Sequence, residues 1–445
     1  MRQNGQSWIL SNIVSPYGLA MISYALFLFA CVLPPSIYQE HMGEPDLMFL
    51  DSTTILFYSL CVGAFVAGFW LFQRIFPTTH AVARVPQARV HPVLFLLTPL
   101  LVALLITAIS EVLLVKRNPL MIPLLLAQQA GQLRNEDGSG IDLSGTLNSS
   151  ALFLTGVIWW CFWRSRQLDI RGRGRTIIGL ALLLALSVLF VSSSLNLSRH
   201  GLVVALVGFV ICYILQKIAS RQLDWMLISR TALALAFGGC FFFYLINSLR
   251  YGSDGNVQIG TLIGYTISSY NRLAALLQGR LHYLYSGRGI YFSTFLSFNH
   301  PINRIIPIGR VLDVPDFFLW WRSEFNSVAI AGLDSLWVFC GTFGDIFVEL
   351  GWFAPLYVFG YGLLYGLVWR WMKSDMLVGL ILYPYFAYCV LFWFTTNALF
   401  DTDFAALVAD VIMLAIYERV LANRRQATTM ASRLGPLSAP ATPTA

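Results

Sequence analysis

Asp345 and Glu349 lie four residues apart at the start of an apolar run, and His200 follows Arg199 in a short SRHG turn between two other apolar runs. Residues four apart share one face of a helix, so the two acids would be presented together. A carboxylate or a neutral imidazole in such a place can take a proton from a hydroxyl. Seven arginines, Arg250, Arg272, Arg280, Arg288, Arg304, Arg310 and Arg322, are spread from Arg250 to Cys340 among tyrosines, tryptophans and glycines. The guanidinium is a planar fork of donors that matches phosphate oxygens, and several forks together suit a diphosphate. These residue types point to proton transfer beside a bound anion.

Each candidate also has a structural alternative. Arg199 could snorkel at a membrane interface instead of contacting phosphate. Arg250, in SLRYGSDG, could simply end a helix whose dipole favours a cation. Asp345 and Glu349 could neutralise nearby arginines, and Glu111 could pair with Lys116 or Arg117. His300, Arg304 and Arg310 sit in a stretch broken by Pro301, Pro307 and Pro315, followed by Trp320 and Trp321, whose rings suit sugar faces or an interfacial belt.

The elements that must position these groups are hydrophobic. The chain has 445 residues, of which 57% are hydrophobic and 11% charged, with mean hydropathy +0.68. No water-soluble domain of this size sustains that composition, so an all-α polytopic membrane protein is expected. Apolar runs centre on 17–35, 53–73, 92–114, 149–163, 176–195, 201–216, 231–249, 346–369, 376–397 and 403–420, giving about ten spans. The seven cysteines lie in or beside these runs without CxxC spacing, and no His cluster has metal spacing, so neither a disulfide frame nor a metal or other cofactor is expected. The N-terminal stretch has no cleavable signal pattern, so the first run should stay as an anchor.

Charge orients the runs. Arg74, Arg84 and Arg89 follow the second, Arg164, Arg166, Arg171, Arg173 and Arg175 the fourth, Lys217, Arg221 and Arg230 the sixth, Arg370 and Lys373 the eighth, and Arg419, Arg424 and Arg425 the tenth. The segments 36–52 and 398–402 hold acids and no Lys or Arg. Even-numbered spans of a bacterial inner-membrane protein should end in the cytoplasm, and both termini should be cytoplasmic. The net charge of +7 is then carried largely by inner loops and does not imply nucleic acid. Outer loops normally lack arginine, so the arginine-rich stretch stands out on the periplasmic side.

Four regions follow: a membrane bundle over 1–249, a periplasmic loop domain over 250–340, further spans over 341–425 and a polar, disordered tail over 426–445. Within the loop, Ile259, Leu262, Ile263, Ile267, Tyr270, Leu273 and Leu277 recur at helical spacing with Ser268, Ser269 and Arg272 off that face. An amphipathic helix on the outer interface is expected. Arg310 and Arg322, near Asp313, Asp316 and Glu324, are expected to hold the loop together.

The SRHG turn, the RYG that opens the loop, GYTISSYNRLAALLQG within it and AGLDSLWVFCGTFGDIFVELGWFAPLYVFGYGLLYGLVWR after it resemble the Wzy-type oligosaccharide repeat-unit polymerases, or O-antigen polymerases. The resemblance implies a GT-C-like membrane glycosyltransferase that moves a growing glycan from undecaprenyl diphosphate onto a lipid-linked repeat unit, without nucleotide sugar or obligatory metal. Its partners would be the lipid-linked oligosaccharide, the bilayer and a chain-length regulator. On this reading Arg199, Arg250, Arg280, Arg288, His300 and Arg304 bind diphosphate or glycan, and His200, Asp345 and Glu349 are the base candidates. A glycan ligase using the same donor is the enzymatic alternative. A lipid-linked sugar flippase is the alternative of another class, and it is disfavoured by the scarcity of midspan charge. A bare scaffold leaves the arginines unexplained.

Overall fold

The computed structural model describes residues 11–34, 36, 40–41, 44, 51–77, 91–117, 122–123, 145–168, 170–195, 200–220, 225–251, 255–292, 317–395, 399 and 402–433, and among them all regular structure is helical. In chain order the helices are α1 (Pro16–Cys31), α2 (Ser52–Ile75), α3 (Pro92–Arg117), α4 (Gly145–Gln167), α5 (Arg173–Leu195), α6 (His200–Ala219) and α7 (Trp225–Tyr251). They continue as α8 (Gly255–Thr266), α9 (Ser268–Leu277), α10 (Phe317–Ile330), α11 (Gly341–Leu350), α12 (Ala354–Lys373), α13 (Leu377–Leu391) and α14 (Thr402–Arg433). Each expected apolar run is largely helical, although 346–369 holds two helices and the helix in 376–397 ends at Leu391. Among the described residues, five segments are long and apolar enough to cross a membrane: Ser52–Ile75, Pro92–Lys116, Arg173–Leu195, His200–Ala219 and Gly341–Lys373. Helix α14 runs past Arg425 into the expected tail, and residues 434–445 lie outside the described set.

Helix α13 is the axis of the bundle. Every residue from Gly379 to Val390 is buried, as an all-round hydrophobic helix requires. It packs against α1, α4, α6, α12 and α14. Its C-terminal end also meets the start of α11, where Thr342 donates its N–H to the Trp393 carbonyl at 2.8 Å.

Helices α2 and α12 approach backbone to backbone. A Cβ on Gly68 would collide with the Phe359 carbonyl, and one on Gly362 with the Phe65 carbonyl. Small residues permit this contact where helices cannot gain from expelling water. Asp51 starts α2 by accepting hydrogen bonds from the Thr54 N–H and Oγ1, both at 2.9 Å.

Three sequence expectations change. The run 346–369 is two helices, because Gly351 (φ 56°) breaks the chain and a 3-10 turn, Gly351–Phe353, redirects it into α12. The expected interfacial helix over 259–277 is α8 and α9, separated at Ile267. In α9 every residue from Ser268 to Leu276 is buried, polar face included, because α9 lies between α2 and α11. Finally, Arg164, counted among the orienting charges, is buried. Its Nε and Nη2 donate to Glu418 Oε1 and Oε2 at 2.9 and 3.0 Å, and Trp160 Nε1 donates to Oε1 at 2.8 Å.

Substituting Gly362 by Val should force α2 and α12 apart and cost at least about 2 kcal/mol. Thermal unfolding in detergent should show a clearly lowered midpoint, and an unchanged one would contradict the backbone contact.

Candidate functional site

The expected acids lie in α11, which starts at Gly341 (φ 76°) after Cys340. Asp345 is 3% exposed and accepts a hydrogen bond from Cys340 Sγ at 3.2 Å. Glu349 sits one turn further along. Its Oε2 accepts the Gly289 N–H at 2.7 Å and its Oε1 the Tyr291 N–H at 3.0 Å. Close by, the Gly287 N–H reaches the Val348 carbonyl at 3.2 Å. Among the described residues, main-chain donors and not an arginine therefore answer the Glu349 carboxylate. Two left-handed glycines, Gly287 (φ 74°) and Gly289 (φ 73°), fold the turn that turns its N–H groups toward the carboxylate.

Arg288 lies between those glycines. Its side chain is exposed and rests over the Tyr285 ring at 5.3 Å. Arg280 follows Gly279 (φ 67°), which closes the end of α9, and is also exposed. From Leu281 to Leu284 burial alternates, so Leu281 and Tyr283 point inward while His282 and Leu284 point outward. The 278–292 segment thus carries Arg280, Arg288 and His282 outside and Tyr283 and Tyr291 beneath.

Beneath it lies a group that sequence reading did not assign. Glu324 is 4% exposed, and its Oε2 accepts the Tyr291 hydroxyl at 2.6 Å. Its Oε1 has no hydrogen-bond partner among the described residues. Burial pushes its carboxyl from the ordinary 4.5 to about 8, and the charges of Asp345 and Glu349 add to the rise against the Tyr291 bond. This burial favours the protonated carboxyl over the carboxylate. Burial also pushes the Tyr283 and Tyr291 hydroxyls well above their usual range. Arg322, expected with nearby acids to hold the loop together, is exposed, whereas Glu324 two positions on is buried. The missed signal was the spacing Trp320, Glu324, Val328, which puts the acid on the buried stripe of α10.

Arg272 is structural. Fully buried, it donates through Nη2 to Glu44 Oε1 at 2.5 Å and the Asp334 carbonyl at 2.9 Å, through Nε to the Trp337 carbonyl at 2.5 Å and through Nη1 to the Ser268 carbonyl at 3.1 Å. Glu44 is completed by the Asp334 N–H at 3.0 Å and Asn271 Nδ2 at 3.2 Å. One guanidinium thereby joins residue 44, α9 and the 334–337 loop.

His200 opens α6 and meets Tyr388 of α13, with Nδ1 and the hydroxyl 3.2 Å apart. Tyr388 stacks on Phe392, one residue before the Trp393 that anchors α11, so His200 and the acids flank the same end of α13. Arg250 is the penultimate residue of α7, and its side chain lies outside the described residues. Arg199, His300, Arg304 and Arg310 also lie outside them. Glu111, expected to pair with Lys116 or Arg117, is buried and accepts the Ser192 hydroxyl at 2.6 Å, while Lys116 is exposed. Asp410, in the middle of the tenth run, is fully buried with neither oxygen hydrogen-bonded among the described residues, and Gly156 of α4 makes room for it. Asp410 is thus an ionisable group within the tenth run. Among the described residues no group of three or more His, Cys, Asp or Glu is placed to hold a metal ion.

Removing Glu44 with Glu44→Ala leaves the Arg272 charge buried without its counter-ion, and should cost at least about 3 kcal/mol. Thermal unfolding with and without the substitution measures it, and a shift of under a degree would deny the clamp its role. No family model matches this chain, and comparison with curated proteins and with solved structures found no match.

Proposed function

We propose that the chain is a polytopic membrane glycosyltransferase that polymerises surface polysaccharide, taking a growing glycan from undecaprenyl diphosphate and adding it to a lipid-linked repeat unit. The observation that carries this reading is the arrangement of the 278–292 segment. Arg280 and Arg288 are exposed on it, while Glu349 holds the Arg288 turn from below through main-chain N–H groups. Because that acid is met by backbone donors, it does not consume the Arg288 guanidinium. A rigid turn with outward guanidiniums suits a leaving diphosphate, whose charge grows as the glycosidic bond breaks.

On this reading about ten spans form a GT-C-like bundle in a bacterial inner membrane, with both termini cytoplasmic and the arginine-bearing segment periplasmic. A chain-length regulator would be its protein partner. Arg199, Arg250 and the His300–Arg304 stretch complete the anion and glycan contacts. The attacking hydroxyl of the acceptor sugar loses its proton as its oxygen bonds to the anomeric carbon, and the diphosphate departs with the electrons of the broken bond. Glu349 is committed to the turn, so His200 and Asp345 are the acceptors favoured for that proton.

Arg280→Ala and Arg288→Ala should each leave the protein in the membrane and reduce turnover by at least about tenfold, since one preorganised donor to a developing anion is commonly worth more than that. Glycan length in cells carrying each variant measures the loss, and normal long chains in both would contradict the proposal. Cells without the protein separate the alternatives: lipid A core bearing one repeat is expected, whereas unattached full-length polymer would indicate a ligase and absence of any externalised repeat a flippase.

A further inference from the structure

Tyr291 is held at two points. Its N–H donates to Glu349 Oε1 at 3.0 Å and its hydroxyl to Glu324 Oε2 at 2.6 Å, so one residue fastens the 287–291 turn to both α11 and α10. The two fastenings differ in kind. Glu349 has a main-chain donor on each oxygen. Glu324 has one oxygen on Tyr291 and the other buried without a partner among the described residues. Two other buried glutamates have both oxygens engaged, Glu418 by Arg164 and Trp160 and Glu44 by Arg272, Asn271 and the Asp334 N–H. A buried glutamate with no cation against it among the described residues, close to Asp345 and Glu349, is favoured there in its protonated form. Ionised, it would face like charges with a single hydroxyl to answer it.

We infer that Glu324 is a positioning residue for Arg288: through the Tyr291 hydroxyl it latches the glycine-flanked turn that carries the guanidinium, and loss of its proton releases the latch. The inference rests on the reading of Arg288 as a diphosphate contact for its purpose, but its mechanism concerns the turn alone. The groups facing Glu324 are Tyr283 and Tyr291 on the 278–292 segment, Cys340 ahead of α11, and Asp345 and Glu349 within α11. Burial pushes the two hydroxyls and the Cys340 thiol up, so they stay neutral across the working range.

The sign follows from linkage. The closed state holds a proton on Glu324 up to about pH 8, whereas a carboxyl exposed by opening has its ordinary value of 4.5. Between those values opening releases a proton, so the opening constant rises about tenfold per pH unit, and above the upper value it levels off.

Amide hydrogen exchange over residues 287–291, measured on the full chain in lipid nanodiscs from about pH 5 to 9 and corrected for intrinsic rates, reads this constant. The wild-type protein should show the rise and the plateau, and Glu324→Gln, which keeps an acceptor for Tyr291 but cannot ionise, should show neither. Tyr291→Phe retains the main-chain bond to Glu349 and should already exchange faster at the acid end. A flat wild-type profile, an unaltered slope in Glu324→Gln or an unaltered rate in Tyr291→Phe would each overturn the latch. Normal glycan length in Arg288→Ala together with an intact exchange transition would remove the diphosphate reading alone and leave the coupling supported.

Discussion

A guanidinium taken wholly out of water must find an acceptor for its donors, and Arg272 imposes that demand on the part of the molecule where the candidate groups gather. Its acceptors come from Glu44, Ser268, Asp334 and Trp337, positions that are far apart in the chain. Meeting the demand brings residue 44, α9 and the loop before α11 to one point. The 278–292 segment leaves α9 immediately after this clamp, and α11 begins immediately beyond the loop. The distance between the arginine-bearing turn and the acids beneath it is thus inherited from one buried ion pair. Such a pair is seldom a net source of stability, but removing one partner is costly, which makes it a strong determinant of which arrangement is adopted.

The membrane bundle supplies the floor. Close contact of α2 and α12 through Gly68 and Gly362 fixes where α12 begins, and α13 anchors α11 through the Trp393 carbonyl. Gly351 then lets α11 and α12 take separate directions, so the carboxylates of α11 turn toward the 278–292 segment. Above this floor, charge is sorted by depth. Arg280, His282 and Arg288 face outward, whereas Glu324, Asp345 and the tyrosines lie underneath.

Much of the helical layout was legible because hydrocarbon composition is a strong signal, and every apolar run is largely helical. Asp345 and Glu349 were found from their spacing, although what answers the Glu349 charge was not. Glycine-rich turns can supply main-chain donors to a carboxylate, and a one-dimensional search for arginines does not see them. The same bias assigned Arg272 to a polar face and gave Glu324 no role of its own. Helical spacing alone could have placed Glu324 with Trp320 and Val328, but the partner of Arg272 lies more than two hundred residues away. Burial of Asp410 depends on Gly156 of another helix, a complementarity that no local pattern records.

The central claim is that this bundle end handles a lipid-linked diphosphate glycan. Purified protein in nanodiscs, supplied with a synthetic undecaprenyl-diphosphate oligosaccharide of the correct repeat and no nucleotide sugar, tests it most directly. A ladder of products extended by whole repeats is the expected result. A substrate of the correct repeat left unextended by folded protein would contradict the claim.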